Sequence, residues 1–171
     1  MNISLHPRVF VLFVVGLIWI VLTRHATVDV PIMTNGEQIP SVQFVDMQAG
    51  PVGTDGIIGQ PAVYTLWASW CPPCIAEMPI LDQLYPELQA QGIRLIAVNQ
   101  GESTDTITAY LAASPVNFEI WQDPQRHMGI TLRADDLPTT AFVDKRGVVR
   151  LLYRGPVTPE LVRAMAKVLA E

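Results

Sequence analysis

From Val9 to Leu22 the chain reads VFVLFVVGLIWIVL, an uncharged run of 14 residues bounded by Arg8 and by Thr23-Arg24-His25. At about 1.5 Å per helical residue it spans roughly 21 Å, short of the ~30 Å hydrocarbon core of a bilayer. Thr23 and the flanking side chains extend it by snorkelling. Thr23 to Thr27 show no small-x-small cleavage pattern, and no cysteine follows for lipid attachment. The run therefore predicts a membrane anchor over residues 9–23 behind a short head (1–8), with a cleaved export signal as the alternative. So short a head stays inside, which places the rest of the chain on the extracytoplasmic, periplasmic side of the cytoplasmic membrane. Residues 24–40, with Pro31, Thr34, Asn35 and Gly36, read as a linker, and residues 41–171 as one domain.

Within that domain the pattern switches between strand and helix periods. Val42–Asp46 predicts a short strand, and the glycine-rich stretch Gln48–Gln60 a loop. Val63–Trp67 is a β-rich apolar run of the kind buried on both faces of a sheet. Beyond Cys71, the steps Ile75, Met78, Leu81, Leu84, Tyr85 and Leu88 predict an amphipathic helix. Pro79 and Pro86 are expected to kink or divide it, and Gly92 to close it. A second buried strand follows at Ile93–Val98, a helix at Thr104–Ala113, a strand at Phe118–Trp121 and a short helix at Pro124–Ile130. Thr140–Val143 and Val148–Tyr153 read as strands joined by the turn Asp144-Lys145-Arg146-Gly147. Thr158-Pro159 predicts a capped final helix with Leu161, Val162, Met165, Val168 and Leu169 as its buried stripe. The order predicts an α/β fold, a mixed central sheet flanked by helices.

Composition narrows the function. Charged residues are 16 % and hydrophobic residues 50 % of the chain, which excludes a disordered or coiled-coil protein. The net charge is −5 and no basic run occurs, so no nucleic-acid partner is expected. Two cysteines make no disulfide scaffold. His6 and His25 flank the apolar run, leaving His127 alone, so no metal and no cofactor is expected.

The chemistry lies in Trp67-Ala68-Ser69-Trp70-Cys71-Pro72-Pro73-Cys74, where a buried strand passes into a helix start. A two-residue gap lets both sulfurs meet within one turn. Cys71 falls at the helix N-terminus, where unpaired N–H groups and the macrodipole favour an anion. It is the candidate attacking thiolate, and Cys74, one turn in and shielded, the resolving thiol. Inert core thiols are the plain alternative. A peroxidase of the peroxiredoxin type calls for threonine three residues before the reactive cysteine, where this chain has Ala68.

WASWCPPCIAEMP, Ile96-Ala97-Val98-Asn99 with Gly101-Glu102, Leu137-Pro138-Thr139-Thr140-Ala141-Phe142-Val143-Asp144, and Arg154-Gly155 together resemble the thioredoxin-fold TlpA/ResA-like group, which includes the reductants of cytochrome c maturation. The resemblance runs from about Ser41 to the C-terminus and implies a thioredoxin-like fold. It implies that Pro138 is a cis-proline facing the dithiol and that Leu137 offers its backbone to an extended client. It implies that Glu77, three residues after Cys74, handles the proton of the buried thiol, the alternative being a solvated glutamate. Trp70 is expected to form apolar surface beside the reactive sulfur, and Trp67 to be core. Thr65 stands where thioredoxin keeps a buried aspartate, which leaves Glu77 the one nearby acid. Pro72 and Pro73 carry no N–H, so the nearest backbone donor to a Cys71 thiolate is Cys74 N–H, and a moderately lowered thiol pKa is expected. Asp135 and Asp136 flank the Leu137-Pro138 loop. The implied function is thiol–disulfide exchange, reductive toward client proteins such as apocytochrome c, with a membrane dithiol donor restoring the electrons. A disulfide-forming oxidant and a redox-inert binding or chaperone module are the rival readings.

Overall fold

The computed structural model describes residues 36–171. Its elements are β1 (Gln43–Asp46), β2 (Gly50–Gly53), a 3-10 turn (Thr54–Ile57), β3 (Ala62–Trp67), α1 (Pro72–Ala90), β4 (Arg94–Gln100), α2 (Thr104–Ala113), β5 (Glu119–Asp123), α3 (His127–Thr131), β6 (Thr139–Val143), β7 (Val149–Arg154) and α4 (Pro159–Ala170). The expected anchor and head lie outside the described residues. Among the described residues no helix is long and apolar enough to cross a membrane.

The strands form one seven-stranded sheet in the order β2-β1-β5-β4-β3-β6-β7. β3, β4 and β5 run parallel, and β1 and β6 pair with them antiparallel, so the sheet is mixed as expected. Strand alternation divides the apolar residues between two faces. Val63 and Trp67 of β3 join Leu95 and Ala97 of β4 in a core shared with Cys71, Cys74, Met78 and Leu81 on one side. Tyr64 and Leu66 join Ile96, Val98, Trp121 and Met128 in a second core on the other. Because both faces are covered, β3 and β4 read in sequence as almost unbroken apolar runs.

α1 is one helix of 19 residues, not two. Pro79 and Pro86 both lie at exposed positions, and the carbonyls that lose their usual donors belong to the half-exposed Ile75 and Asp82, where water can substitute. The helix ends as expected at Gly92, whose φ of 70° is the left-handed conformation glycine adopts without strain. Ile93 N–H bonds Leu88 O and Gly92 N–H bonds Gln89 O, the paired bonds of a Schellman motif. The buried side chains of Leu88 and Ile93 lie in the same core.

Four expectations need correcting. Gln48–Gln60 is not all loop: Gly50–Gly53 pairs with Gln43–Asp46, and Thr54 N–H closes the unit on Val42 O. Glycines at strand positions hid this hairpin from a pattern of β-formers. The short helix expected from Pro124 begins at His127, because the Asp123 carboxylate caps it from the end of β5, accepting from His127 and Met128 N–H at 2.9 Å each. Val168 is exposed and Ala166 is buried in its place, while Val162 and Leu169 are buried as expected. Finally, Gly36–Ile39 do not hang free as linker: Gly36 N–H bonds Val149 O, Val149 N–H bonds Glu37 O, Ile39 N–H bonds Gly147 O, and Ile39 is buried. Gly147 has φ of 79° at the β6–β7 turn, and a Cβ there would come within 2.5 Å of the Gln38 side chain. That glycine therefore serves the turn, and the flexible end of Gln38 lies over it.

Candidate active site

β3 ends at Trp67, and the chain leaves the sheet through a β-turn closed by Cys71 N–H to Ala68 O at 3.1 Å. Ser69 and Trp70 are the central residues of that turn. Cys71 is the N-cap of α1, extended at φ −96° and ψ 101°, and Pro72 and Pro73 occupy the first helical positions, where the missing N–H groups cost no intrahelical bond. Cys71 and Cys74 are joined as a disulfide, with S–S 2.07 Å and Cα–Cα 5.3 Å. Cys74 N–H points at the Cys71 sulfur at 3.3 Å. In a first turn that starts with two prolines, this is the donor the sequence predicts.

The expected contrast in exposure between the two cysteines is small in the disulfide: Cys71 is 3 % exposed and Cys74 1 %. Position separates them instead, since Cys71 caps the helix and follows Trp70, which is 68 % exposed. Trp70 is thus exposed immediately before Cys71 in the chain. Trp67 is core and meets Tyr110 of α2 with ring centroids 5.0 Å apart.

Glu77 is not a solvated helix residue. It is 2 % exposed, and its carboxylate accepts from Thr65 Oγ1 at 2.9 Å and from Val157 N–H at 2.6 Å. Thr140 Oγ1 lies 3.3 Å from Thr65 Oγ1, so a buried hydroxyl pair links β6 through β3 to the α1 carboxyl. Burial raises the Glu77 pKa above its ordinary 4.5, and the Val157 N–H and the Thr65 hydroxyl oppose the rise without cancelling it. A raised folded-state pKa means the native chain holds a proton that the unfolded chain has already released. The Glu77 contribution to stability is therefore greatest below pH 4.5 and declines as pH rises from there through the folded-state value. Glu77→Gln, whose amide can face Val157 N–H with its oxygen and Thr65 Oγ1 with its nitrogen, removes this dependence. Urea unfolding at a series of pH values should show the variant gaining on the wild type as pH rises; parallel curves would contradict it.

The Leu137–Pro138 bond is cis, as the resemblance implies. Leu137 is half-buried and packs against the core that contains both cysteines, and Gly155 N–H bonds Pro138 O at 2.9 Å. Asp135 and Asp136 are exposed just ahead of it. The structure thus gathers Cys71, Cys74 and Leu137 around one core, with Glu77 one helical turn beyond Cys74.

The groups that hold these residues carry little sequence signal. Thr65 stood out only as a missing aspartate, and Val157 N–H, a backbone donor, leaves no sequence signal. Glu102 belongs to the Gly101-Glu102 part of the resemblance, which by itself implies no role for it. Its carboxylate accepts from Ser69 N–H at 2.7 Å, from the Ser69 hydroxyl and from Asn99 Nδ2 at 2.6 Å. Among the described residues no cluster of three or more His, Cys, Asp and Glu side chains is placed to hold a metal ion.

Comparison with known proteins agrees with this geometry. The profile of the AhpC/TSA family matches residues 35–152. The thiol-disulfide oxidoreductase ResA of Geobacillus thermodenitrificans is 30 % identical over 128 residues, 75 % of this chain and 74 % of the relative. ResA of Bacillus subtilis is 25 % identical, covering 76 % and 73 % of the two chains. Among solved structures, a Chlorobium tepidum protein assigned as thiol:disulfide interchange protein DsbE superposes with a TM-score of 0.75 at 25 % identity, covering 81 % of this chain and 99 % of its own. A secreted thiol-disulfide isomerase from Corynebacterium glutamicum shares the fold at a TM-score of 0.71 and 20 % identity, covering 86 % and 95 %.

Proposed function

The chain belongs to the AhpC/TSA family and is a thiol–disulfide oxidoreductase of thioredoxin-like fold, and we propose that it works as an extracytoplasmic, membrane-tethered reductant of client disulfides. The observation that carries the reading is the Cys71–Cys74 pair at the junction of β3 and α1, closed as a disulfide.

In the proposed cycle the Cys71 thiolate attacks one sulfur of a client disulfide, forming a Cys71–client mixed disulfide and releasing the other client sulfur as thiolate. Cys74 then gives up its proton and attacks the Cys71 sulfur, which releases the second client thiolate and leaves the Cys71–Cys74 disulfide. Two electrons pass to the client, and a membrane dithiol donor returns two. Glu77, buried one turn from Cys74 with a raised pKa, is the group suited to take the Cys74 proton. Trp70 and the Leu137 backbone ahead of Pro138 are suited to hold an extended client segment. The apolar run at 9–23 supports tethering and export. Apocytochrome c, the client implied by the family resemblance, fits as an exported protein with paired cysteines.

The donor count supports the reductive direction. An oxidant of the DsbA kind is strong because its reduced form is stabilised. Here Pro72 and Pro73 offer the Cys71 sulfur no N–H, and Cys74 N–H approaches at 3.3 Å. A thiolate with so little support makes the dithiol the better electron donor. We expect a potential near thioredoxin's ~−270 mV, measured against glutathione, and a value near DsbA's ~−120 mV would overturn the direction. Cys74→Ser, expressed in the native host, should trap exported clients as mixed disulfides on Cys71. Recovery of no such species would count against client exchange.

A further inference from the structure

We propose that Glu102 is a positioning residue for the Cys71 thiol: it fixes the Ser69–Trp70 turn that leads into Cys71 and holds a carboxylate on that turn, making the dithiol more reducing. The inference rests on the exchange reading above.

Glu102 lies in the connection from β4 to α2 and is held from three directions. Its own N–H donates to Asn99 Oδ1 at 3.2 Å, and its carbonyl accepts from Gln122 Nε2 of β5 at 2.9 Å. Its carboxylate accepts from Asn99 Nδ2, and Asn99 is fully buried at the end of β4, in register with Trp67 at the end of β3. So placed, the carboxylate takes both the N–H and the hydroxyl of Ser69. Ser69 is the first central residue of the turn that Cys71 N–H closes. Charge-assisted bonds of this kind are the strong ones, and a carboxylate with its oxygens filled by three donors from two segments is rigidly oriented.

Two consequences meet at Cys71. The turn that displays Trp70 and sets the N-cap is held from outside the dithiol loop, so it keeps its form when the disulfide opens. The Ser69 and Cys71 Cα atoms are two residues apart, at most about 7 Å, and the carboxylate is bonded to Ser69 N–H, so it lies about 14 Å or less from the sulfur, across half-buried residues that salt screens less than open water. A like charge at that range disfavours the thiolate and so the reduced pair. The other acids on nearby elements, Glu77 of α1 and Asp135 and Asp136 ahead of Leu137, are untouched by the changes below.

Glu102→Gln keeps the shape, removes the charge and leaves one donor without its oxygen. In the full-length protein it should lower the apparent pKa of the Cys71 thiol, followed by thiolate absorbance. It should also shift the equilibrium with glutathione about tenfold toward the dithiol, ~30 mV upward. Ser69→Ala, which removes one of the three donors and keeps the charge, leaves that charge less compensated and should shift the equilibrium about threefold the opposite way, toward the disulfide. Thermal melts accompany both, because a purely structural clamp would lower Tm and leave the equilibrium and the thiol pKa unmoved. A folded Glu102→Gln with both quantities unchanged overturns the proposal. If that variant does not fold, an unshifted Ser69→Ala overturns it equally. Wild-type insulin reduction separates the two levels: an inactive wild type defeats the exchange reading, whereas an active wild type with unshifted variants defeats the role of Glu102 alone.

Discussion

Cys71→Ser is expected to lower insulin-disulfide reduction at least about a thousandfold, to the rate of the uncatalysed thiol reaction. A serine hydroxyl cannot form the mixed disulfide, and the remaining thiol cannot replace it. Cys74 sits inside the first turn of α1, under a cap contributed by residue 71. Cys74→Ser behaves differently, because the leading sulfur survives: a single attack proceeds, product appears up to one equivalent, and turnover stops at the mixed disulfide. Turbidity assays with excess dithiothreitol give the steady rates, and single-turnover thiol counting gives the burst. More than a tenth of wild-type turnover in Cys71→Ser would contradict the assignment of roles.

Trp121→Ala is expected to cost about 4–5 kcal/mol of unfolding free energy, at the upper end for truncation of a buried aromatic. Trp121 is fully buried on β5 in the core of the second face. Its ring meets Phe44 at 5.3 Å and Tyr64 at 6.0 Å, and the Arg94 guanidinium lies 5.5 Å from its centroid. Truncation removes all three contacts and leaves a cavity between β1 and β3 that rigid strands cannot close. It also takes the Nε1–H from Asp46 Oδ2, 3.2 Å away, while Oδ1 of the same carboxylate continues to hold the turn through Gln48 and Ala49 N–H. Trp121→Phe keeps most of the ring packing and loses that bond, so about 1–2 kcal/mol is expected. Urea titrations of the three proteins check the series. With typical domains stable by ~5–15 kcal/mol, the alanine variant should be close to unfolding at growth temperature. A loss under about 1.5 kcal/mol would show that β1 and β2 do not depend on this core.

The parts of this protein that were legible beforehand are those where one physical signal acts alone. Val63–Trp67 and Ile93–Val98 announced central strands because burial on both faces leaves no polar alternation to confuse the period. Thr104–Ala113 matched to the residue because Ser103 caps it and Ser114 and Pro115 follow. The dithiol was legible because strand, turn, two prolines and spacing all pointed to one geometry. Elsewhere two signals competed. β2 is built as Gly-Pro-Val-Gly, and its strand character comes from pairing with β1, which no local propensity records. Pro79 argued for a broken helix, but its exposed side needs no internal bond, so packing of Met78, Leu81 and Leu84 prevailed. The support of the site was the least visible part. Glu77 meets Val157 across 80 positions and Ser69 meets Glu102 across 33. Bonds of that reach follow from the closed sheet and cannot be read from spacing.

The way residues 36–39 join the sheet decides what happens when the chain is tugged. Any tension arriving at Gly36 is borne first by the bonds to Val149 and Gly147. That seam lies along β7, the outer strand, and β6 stands between it and β3, whose end carries the sulfurs. Force applied at Gly36 would be spent on peeling that strip before it could distort the reacting pair, so the chemistry is mechanically insulated from a pull at this edge.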